Sequence, residues 1–287
     1  AFVATVASHQ PPYLAEHIVL GRTLFPGAAF LEIALAAAAA QHGAGEARLT
    51  NFSIDAPLSL PEGEVQTLVT QVEVEDGATK IRIRHAAALG WRVLAQCNVD
   101  GGPVAPETSR LSELKKRDLR VRDVAAYYAH LEDIGLHYGP NFRALRELSS
   151  SPRVAIGRVS LPADAPGLRD GYFMHPAMLD SVFQVLGGAL SDADPEGRNV
   201  VLPIGAEMIR WRRPAGSDVW VGVEIRPSDG AAISVVDLWI EDEAGELIAS
   251  IAGFSVRNAE REDLERAIRF LKQLVKVTDS ALAPKAN

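Results

Sequence analysis

The chain has 287 residues, with 29 Lys and Arg against 37 Asp and Glu, for a net charge of −8. Hydrophobic residues make up 47% and charged ones 23%, proportions that give a globular chain ample apolar material to bury and exclude disorder over most of its length. The acidic balance speaks against non-specific nucleic-acid binding, and no apolar run nears the roughly 20 residues a bilayer span needs.

The chain begins at Ala1 and not at methionine, as expected of a piece of a longer polypeptide, and no basic-then-apolar leader precedes the first element. Pro26 and Gly27 open an Ala/Leu-rich helix running to residue 41. Four strand-like runs follow, at 49–60, 66–75, 80–86 and 91–99. Lys80-Ile81-Arg82-Ile83-Arg84 shows the alternation of a strand with one wet face. The single cysteine, Cys97, excludes an internal disulfide and suits a reducing compartment, hence the cytoplasm. Residues 101–120 are rich in Gly, Pro and charge and read as a linker. An amphipathic helix follows at 121–134. Pro176 opens a second apolar helix, to 190, and four more strand-like runs come after it, at 200–213, 218–226, 231–240 and 246–256. The tail at 260–277 is a charged amphipathic helix with Leu264, Ile268, Leu271 and Val275 at helical spacing, read as a linker helix or packing cover.

The two helix openings lie 150 residues apart, and the four strand starts are offset by 151 to 155 residues. That is an element-level duplication: a long helix followed by an antiparallel meander, twice. Helices this apolar and this low in charge need to be wrapped by a sheet. The expected fold is therefore α+β, a double hotdog. Its N-terminal unit spans 1–100, its linker 101–120 and its C-terminal unit 121–257, and 258–287 form a helical tail.

His17 opens the segment His17-Ile-Val-Leu-Gly21-Arg-Thr-Leu-Phe-Pro26-Gly27. Gly21 permits a tight turn, and Pro26 is pre-shaped for a helix start. The free N–H groups beyond it, that of Gly27 included, are suited to polarise a carbonyl. A lone histidine among apolar residues is more often structural. Asp180 lies inside the second apolar helix, where loss of water favours its protonated form, and Gln184 shares its face at i+4. The plain alternative is a helix exposing one polar stripe. A neutral histidine and a protonated aspartic acid suit removal of an α-proton beside a thioester and loss of the β-hydroxyl as water. Tyr138-Gly139-Pro140 is a specialised turn that can bring a phenol to a substrate oxygen, or simply pack an aromatic ring. Glu32 reads as a polar helix position, with a buried carboxylate as the alternative, and Arg210 with Trp211-Arg212-Arg213 as a local basic patch: a solvated strand end or a landing site for phosphate or an acidic carrier. His42 and His85 lack companions at metal-ligand spacing, so no metal site is expected. No nucleophile elbow, phosphate loop or complete dinucleotide fingerprint occurs.

His17-x-x-x-Gly21-x-x-x-x-Pro26, Tyr138-Gly139-Pro140-x-Phe142 and His175-Pro176-Ala177-Met178-Leu179-Asp180-x-x-x-Gln184 together resemble the dehydratase domain of modular type I polyketide synthases, in order and spacing, over residues 1–257. The resemblance implies a hydro-lyase of secondary-metabolite biosynthesis with one active site between the halves. Its substrate would be a 3-hydroxyacyl thioester on the phosphopantetheine arm of an acyl carrier protein. By matching position, His17 is the base, Asp180 the acid, and Tyr138 and Gln184 their supports. The domain would bind no cofactor of its own. Its partners would be the carrier protein, neighbouring synthase domains and a second copy, with neither nucleic acid nor membrane. The chain departs from the family in two places. Leu202-Pro203-Ile204-Gly205-Ala206 stands where relatives commonly carry a tryptophan-containing stretch, which bears on chain-length preference. The family's N-terminal stretch is absent, so an edge strand is expected to be missing or different. Two other readings fit the same residues: dehydration coupled to oxygen-ring closure or double-bond migration, and a silent dimerisation or carrier-docking module.

Overall fold

The computed structural model describes residues 1–42, 46–87, 90–102, 107–167, 171–190, 199–227 and 233–260. The expected helix at 260–277 falls outside them, apart from its first residue.

In chain order the elements are β1 (Phe2–Ala7), a 3-10 turn (Pro12–Glu16), β2 (His17–Val19), β3 (Arg22–Thr23), α1 (Gly27–His42), β4 (Ala47–Ile54), β5 (Val65–Glu75), β6 (Ala78–Ala87) and β7 (Gly90–Val99). Next come α2 (Leu111–Leu114), β8 (Arg120–Val121), α3 (Val124–Asp133), β9 (Leu136–Tyr138), a second 3-10 turn (Pro140–Phe142), β10 (Leu145–Ser151) and β11 (Val154–Ser160). The chain continues through α4 (Pro176–Gln184), α5 (Leu186–Leu190), β12 (Asn199–Trp211), β13 (Asp218–Ile225), β14 (Ile233–Glu241) and β15 (Leu247–Glu260).

Twelve strands form one antiparallel sheet in the order β1-β5-β6-β7-β4-β12-β15-β14-β13-β11-β10-β8. The midline is the β4–β12 pair, with Ser53 opposite Gly205 and Ala47 opposite Trp211. Outward from it, β7-β6-β5-β1 on one side answers β15-β14-β13-β11 on the other, so the duplication in the sequence becomes an approximate two-fold in the sheet. Helix α1 is apolar all round: Ala28, Phe30, Leu31, Ala34, Leu35 and Ala38 are all buried. So apolar a helix needs cover over most of its surface, and β4 to β7 curl around it, leaving Ala36 and Ala40 exposed. Helices α4 and α5 pack on β10, β11 and β13 in the same way, and α1 and α4 touch each other. This is the expected α+β double hotdog.

The structure corrects several local expectations. The N-terminal edge strand is present: β1 pairs with β5 from Phe2–Thr70 to Ala7–Val65. Strand β4 stops at Ile54, not at 60. Pro57, which has no N–H, follows closely, and the backbone turns to bond elsewhere, with Phe25 N–H donating to Leu58 and Leu60 N–H to Thr23. Strands β10 and β11 carry no clear sequence signal, because Ser149, Ser150, Ser151 and Gly157 blur their alternation; they meet at the Pro152-Arg153 turn. Helix α3 begins at Val124, not 121, because the Asp123 side chain caps it by accepting the N–H groups of Ala125 and Ala126. The helix expected at 176–190 breaks at Val185. There the Tyr127 hydroxyl donates to the Gln184 carbonyl at 2.7 Å, an insertion that interrupts a helical ladder. Within 101–120, α2 buries Leu111 and Leu114 against Val154, Ile156 and Trp239, so the described part of this segment is packed cover on the C-terminal half.

A small second sheet, β3-β2-β9, joins the two halves. Leu20 and Gly21, both at positive φ, make the two-residue turn from β2 to β3, as the glycine suggests.

Candidate active site

Strand β2 presents His17, and its partner β9 presents Tyr138 directly across the ladder. The ladder places a residue near the N-terminus beside one over a hundred positions later. Local contacts then fix each group. The Nδ1 of His17 lies 2.9 Å from the Leu24 carbonyl. A carbonyl only accepts, so Nδ1 carries the hydrogen, and in the neutral ring this leaves the lone pair on Nε2. That Nε2 faces Asp180 Oδ1 at 3.7 Å, beyond hydrogen-bond length, with His17 7% and Asp180 8% exposed. The ring of Tyr138 lies 5.5 Å from that of His17 and stacks on Phe142 at 6.1 Å.

Asp180 sits on α4, whose start is shaped by His175 and Pro176. The His175 Nδ1 caps the helix by accepting the Ala177 N–H, and its Nε2 reaches the Pro166 carbonyl at 2.9 Å. Burial pushes the Asp180 carboxyl up. His17 and the Gln184 N–H, 3.1 Å from Oδ2, pull the other way and do not outweigh it. Burial likewise holds the Tyr138 phenol well above its ordinary range.

The Tyr138-Gly139-Pro140 turn is clamped by a residue that sequence reasoning missed. Glu16 accepts the Asn141 N–H at 2.7 Å and its side-chain amide at 2.6 Å, while Gly139 N–H donates to the Glu16 carbonyl. No local signal could have paired Glu16 with Asn141, 125 positions away. Tyr128 is a second missed residue: its hydroxyl donates to Gln184 Oε1 at 2.9 Å. Glu32 was not missed: of its two readings, the polar helix position gives way to the buried carboxylate. It is buried on α1, accepts the N–H groups of Phe173 and Met174 just ahead of α4, and is pushed up to about 7 by burial.

A largely apolar cavity of about 180 Å³ opens beside these groups. Tyr138, Asp180 and Gln184 line it. Tyr127, Leu131, Phe183, Val201, Pro203 and Phe254 supply much of the rest. The active site is expected between the halves; the cavity lining comes from residues 127–256, and His17, from the other half, adjoins two of the lining residues, with its Nε2 3.7 Å from Asp180 and its ring 5.5 Å from that of Tyr138. Gly27 is also outside the lining, but it packs on Ile54 and on Pro203, which is in it. Pro203 takes its place in β12 at a bulge, between Pro203 and Gly205, where a missing N–H is tolerated. Gly21, Pro26, Gly139 and Pro140 shape the backbone around the cavity without lining it.

The basic patch is not free. Arg210 pairs with Glu107 at 3.1 Å, Arg212 donates to the Glu107 carbonyl, and Arg213 pairs with Asp242, while Trp211 is wholly buried. Among the described residues no group of His, Cys, Asp and Glu could hold a metal ion, and no helix is long and apolar enough to cross a membrane.

Two family profiles match the chain: "Polyketide synthase dehydratase domain" over residues 1–86 and "Polyketide synthase dehydratase N-terminal domain" over 106–266. Among curated relatives, a phenolphthiocerol/phthiocerol polyketide synthase of Mycobacterium tuberculosis is 30% identical over 278 residues, which is 89% of this chain and 14% of that protein. Polyketide synthase GfsE of Streptomyces halstedii is 32% identical over 251 residues, 81% of this chain and 6% of that protein. The chain thus spans a small fraction of these relatives. Among solved structures, the dehydratase domain from the CurK module of curacin polyketide synthase superposes with a TM-score of 0.79 at 26% identity, covering 90% of this chain and 92% of that one. Two variants of that domain, each 25% identical to this chain, are described as inactive, one with an aspartate changed to asparagine and one with a histidine changed to phenylalanine. Fold and sequence agree: the chain belongs to the polyketide synthase dehydratase domains, which are hydro-lyases.

Proposed function

We propose that this domain removes water from a 3-hydroxyacyl thioester to give an α,β-unsaturated thioester, with His17 as base and Asp180 as acid. The observation that carries the reading is His17 Nε2 facing the buried Asp180, whose carboxyl burial pushes up, across 3.7 Å, each group brought by a different half. His17 Nε2 takes the proton from Cα. The C–H electron pair becomes the Cα=Cβ bond, the Cβ–O bond breaks, and the leaving oxygen takes the Asp180 proton and departs as water. Imidazolium and carboxylate then face each other, and one proton transfer restores both. Desolvation helps, because it raises the Asp180 carboxyl's hold on its proton and strengthens the charges that develop. Tyr138 and Gln184 support the pair, and the Gly27 N–H at the start of α1 would polarise the thioester carbonyl. Gly21, Pro26, Gly139 and Pro140 set the backbone that carries these groups.

The thioester belongs on the phosphopantetheine arm of an acyl carrier protein, inside a homodimeric cytoplasmic synthase whose neighbouring domains make and use the chain. The two inactive CurK variants support the choice of one histidine and one aspartate. The test is mass spectrometry of carrier-bound and pantetheine 3-hydroxyacyl thioesters. Wild type should remove the mass of one water, and His17→Ala and Asp180→Asn should each slow this by about 10²–10⁴-fold. Full activity in both variants overturns the assignment.

A further inference from the structure

The two oxygens of the Asp180 carboxyl have different neighbours. Oδ1 faces His17 Nε2, and Oδ2 accepts an N–H from Gln184. Which oxygen carries the proton decides whether the acid points toward the base or back into the packing. The Leu145 main-chain N–H can only donate, and it donates to the Tyr128 hydroxyl oxygen at 3.1 Å. The Tyr128 proton is therefore turned to its other neighbour, Gln184 Oε1 at 2.9 Å. The Phe142 carbonyl can only accept, and it takes Gln184 Nε2 at 2.9 Å. Two groups of fixed polarity thus hold the Gln184 amide in one of its two flips. Its remaining N–H goes to Asp180 Oδ2 at 3.1 Å, which makes that oxygen the poorer seat for a proton.

We propose that Tyr128 is a positioning residue that acts through the Gln184 amide to keep the acid proton of Asp180 on Oδ1, the oxygen facing His17. The inference rests on the dehydratase reading above and goes beyond its catalytic pair. The ionisable groups around Asp180 are His17 from β2, Tyr138 from β9 and Tyr127 and Tyr128 from α3, with His130 of α3 on the same cavity. Burial pushes all three phenols up, so they stay neutral and act on the carboxyl through geometry.

The test compares Tyr128→Phe, Gln184→Met and the double variant. With a short pantetheine 3-hydroxyacyl thioester, Tyr128→Phe should lower kcat roughly ten- to a hundredfold, the scale of one hydrogen bond in a charged network, with KM nearly unchanged. The alkaline limb of its pH profile should rise, because Asp180 loses a firmly held N–H donor and keeps its proton to higher pH. The double variant should be no slower than Gln184→Met, since both changes break one chain. A readout free of turnover is the ¹³C titration of the Asp180 carboxyl, assigned with Asp180→Asn; its midpoint should rise in Tyr128→Phe. Incorporation of 3-fluorotyrosine at 128 keeps the ring and sharpens the donor, so it should lower the midpoint and decides the matter where Tyr128→Phe fails to fold. Losses that multiply in the double variant, or an Asp180 midpoint unmoved by either change at 128, overturn the proposal. If wild type fails to dehydrate the thioester, the dehydratase reading falls and the carboxyl titration still judges Tyr128.

Discussion

Glu32 is a carboxyl buried on an apolar helix and held by two main-chain N–H groups, with its switching point moved from an ordinary 4.5 to about 7. Desolvation raises it, and the two N–H groups recover only part of the shift. In the unfolded chain Glu32 releases its proton near 4.5, while the folded protein holds it to about 7. The native state therefore binds more protons between those values, and stability falls as pH rises through that window, by about 3 kcal/mol at roughly 1.4 kcal/mol per pH unit. Glu32→Gln is neutral throughout and should lack this slope. Urea denaturation at pH 5 and pH 8 should show the difference between wild type and variant moving toward the variant at pH 8. A difference that does not change with pH would show Glu32 already ionised when folded. At this scale Asp180 was legible, because a polar partner stood four positions on along the same helix. Glu32 was legible only as one of two readings, because so apolar a helix offers no clear face by which to tell a buried carboxyl from a wet one. Its partners, Phe173 and Met174, are supplied by the other half of the chain.

Among the elements, two glycines separate conformational from steric need. Gly21 takes φ +71° in the β2–β3 turn, where a Cβ would meet nothing. Gly21→Ala should cost about 1 kcal/mol of backbone strain. Gly139 has ordinary φ, but its Cβ would fall 2.5 Å from Glu16 Cγ, inside the clamp that fixes Asn141 and the Tyr138 turn. Gly139→Ala should cost about 1–3 kcal/mol and, by shifting Tyr138 against His17, slow turnover by about tenfold or more. Thermal melts and thioester turnover on the two variants check the contrast; equal, small effects on both readouts would show that the clamp yields. The Gly21 turn could be read locally from the residue type. The need for Gly139 could not, since the atom that forbids a side chain belongs to a residue more than a hundred positions earlier. The break at Val185 was hidden for the same reason: Tyr127 of α3 interrupts a helix that its own sequence would continue.

Across the whole molecule the two half-sheets are one, joined along β4 and β12. At that seam a Cβ on Gly205 would lie 2.4 Å from the Phe52 carbonyl oxygen. Gly205→Ala should therefore force the strands apart and cost about 1–3 kcal/mol or more. A continuous sheet and touching helices also imply a single cooperative unfolding transition. Fluorescence, which senses Trp211 buried in the seam strand, and far-UV circular dichroism should follow one urea curve, in wild type and in Gly205→Ala alike. Two separated transitions would show that the halves fold independently.

Local patterning along the chain settled which segments are apolar enough to need wrapping, that the unit occurs twice at a spacing near 150 residues, and which residue types stand at the turns and helix starts. Those features depend on neighbours a few positions apart, so they can be read in order. Only the tertiary structure decided that β1 completes the edge, that the cavity lining comes from one half and that His17 adjoins it beside Asp180 and Tyr138. It alone placed Glu16, Glu32 and Tyr128 in the support of the site. Each of those depends on which distant strand lies alongside, and strand pairing across more than a hundred residues leaves no periodic mark in the sequence.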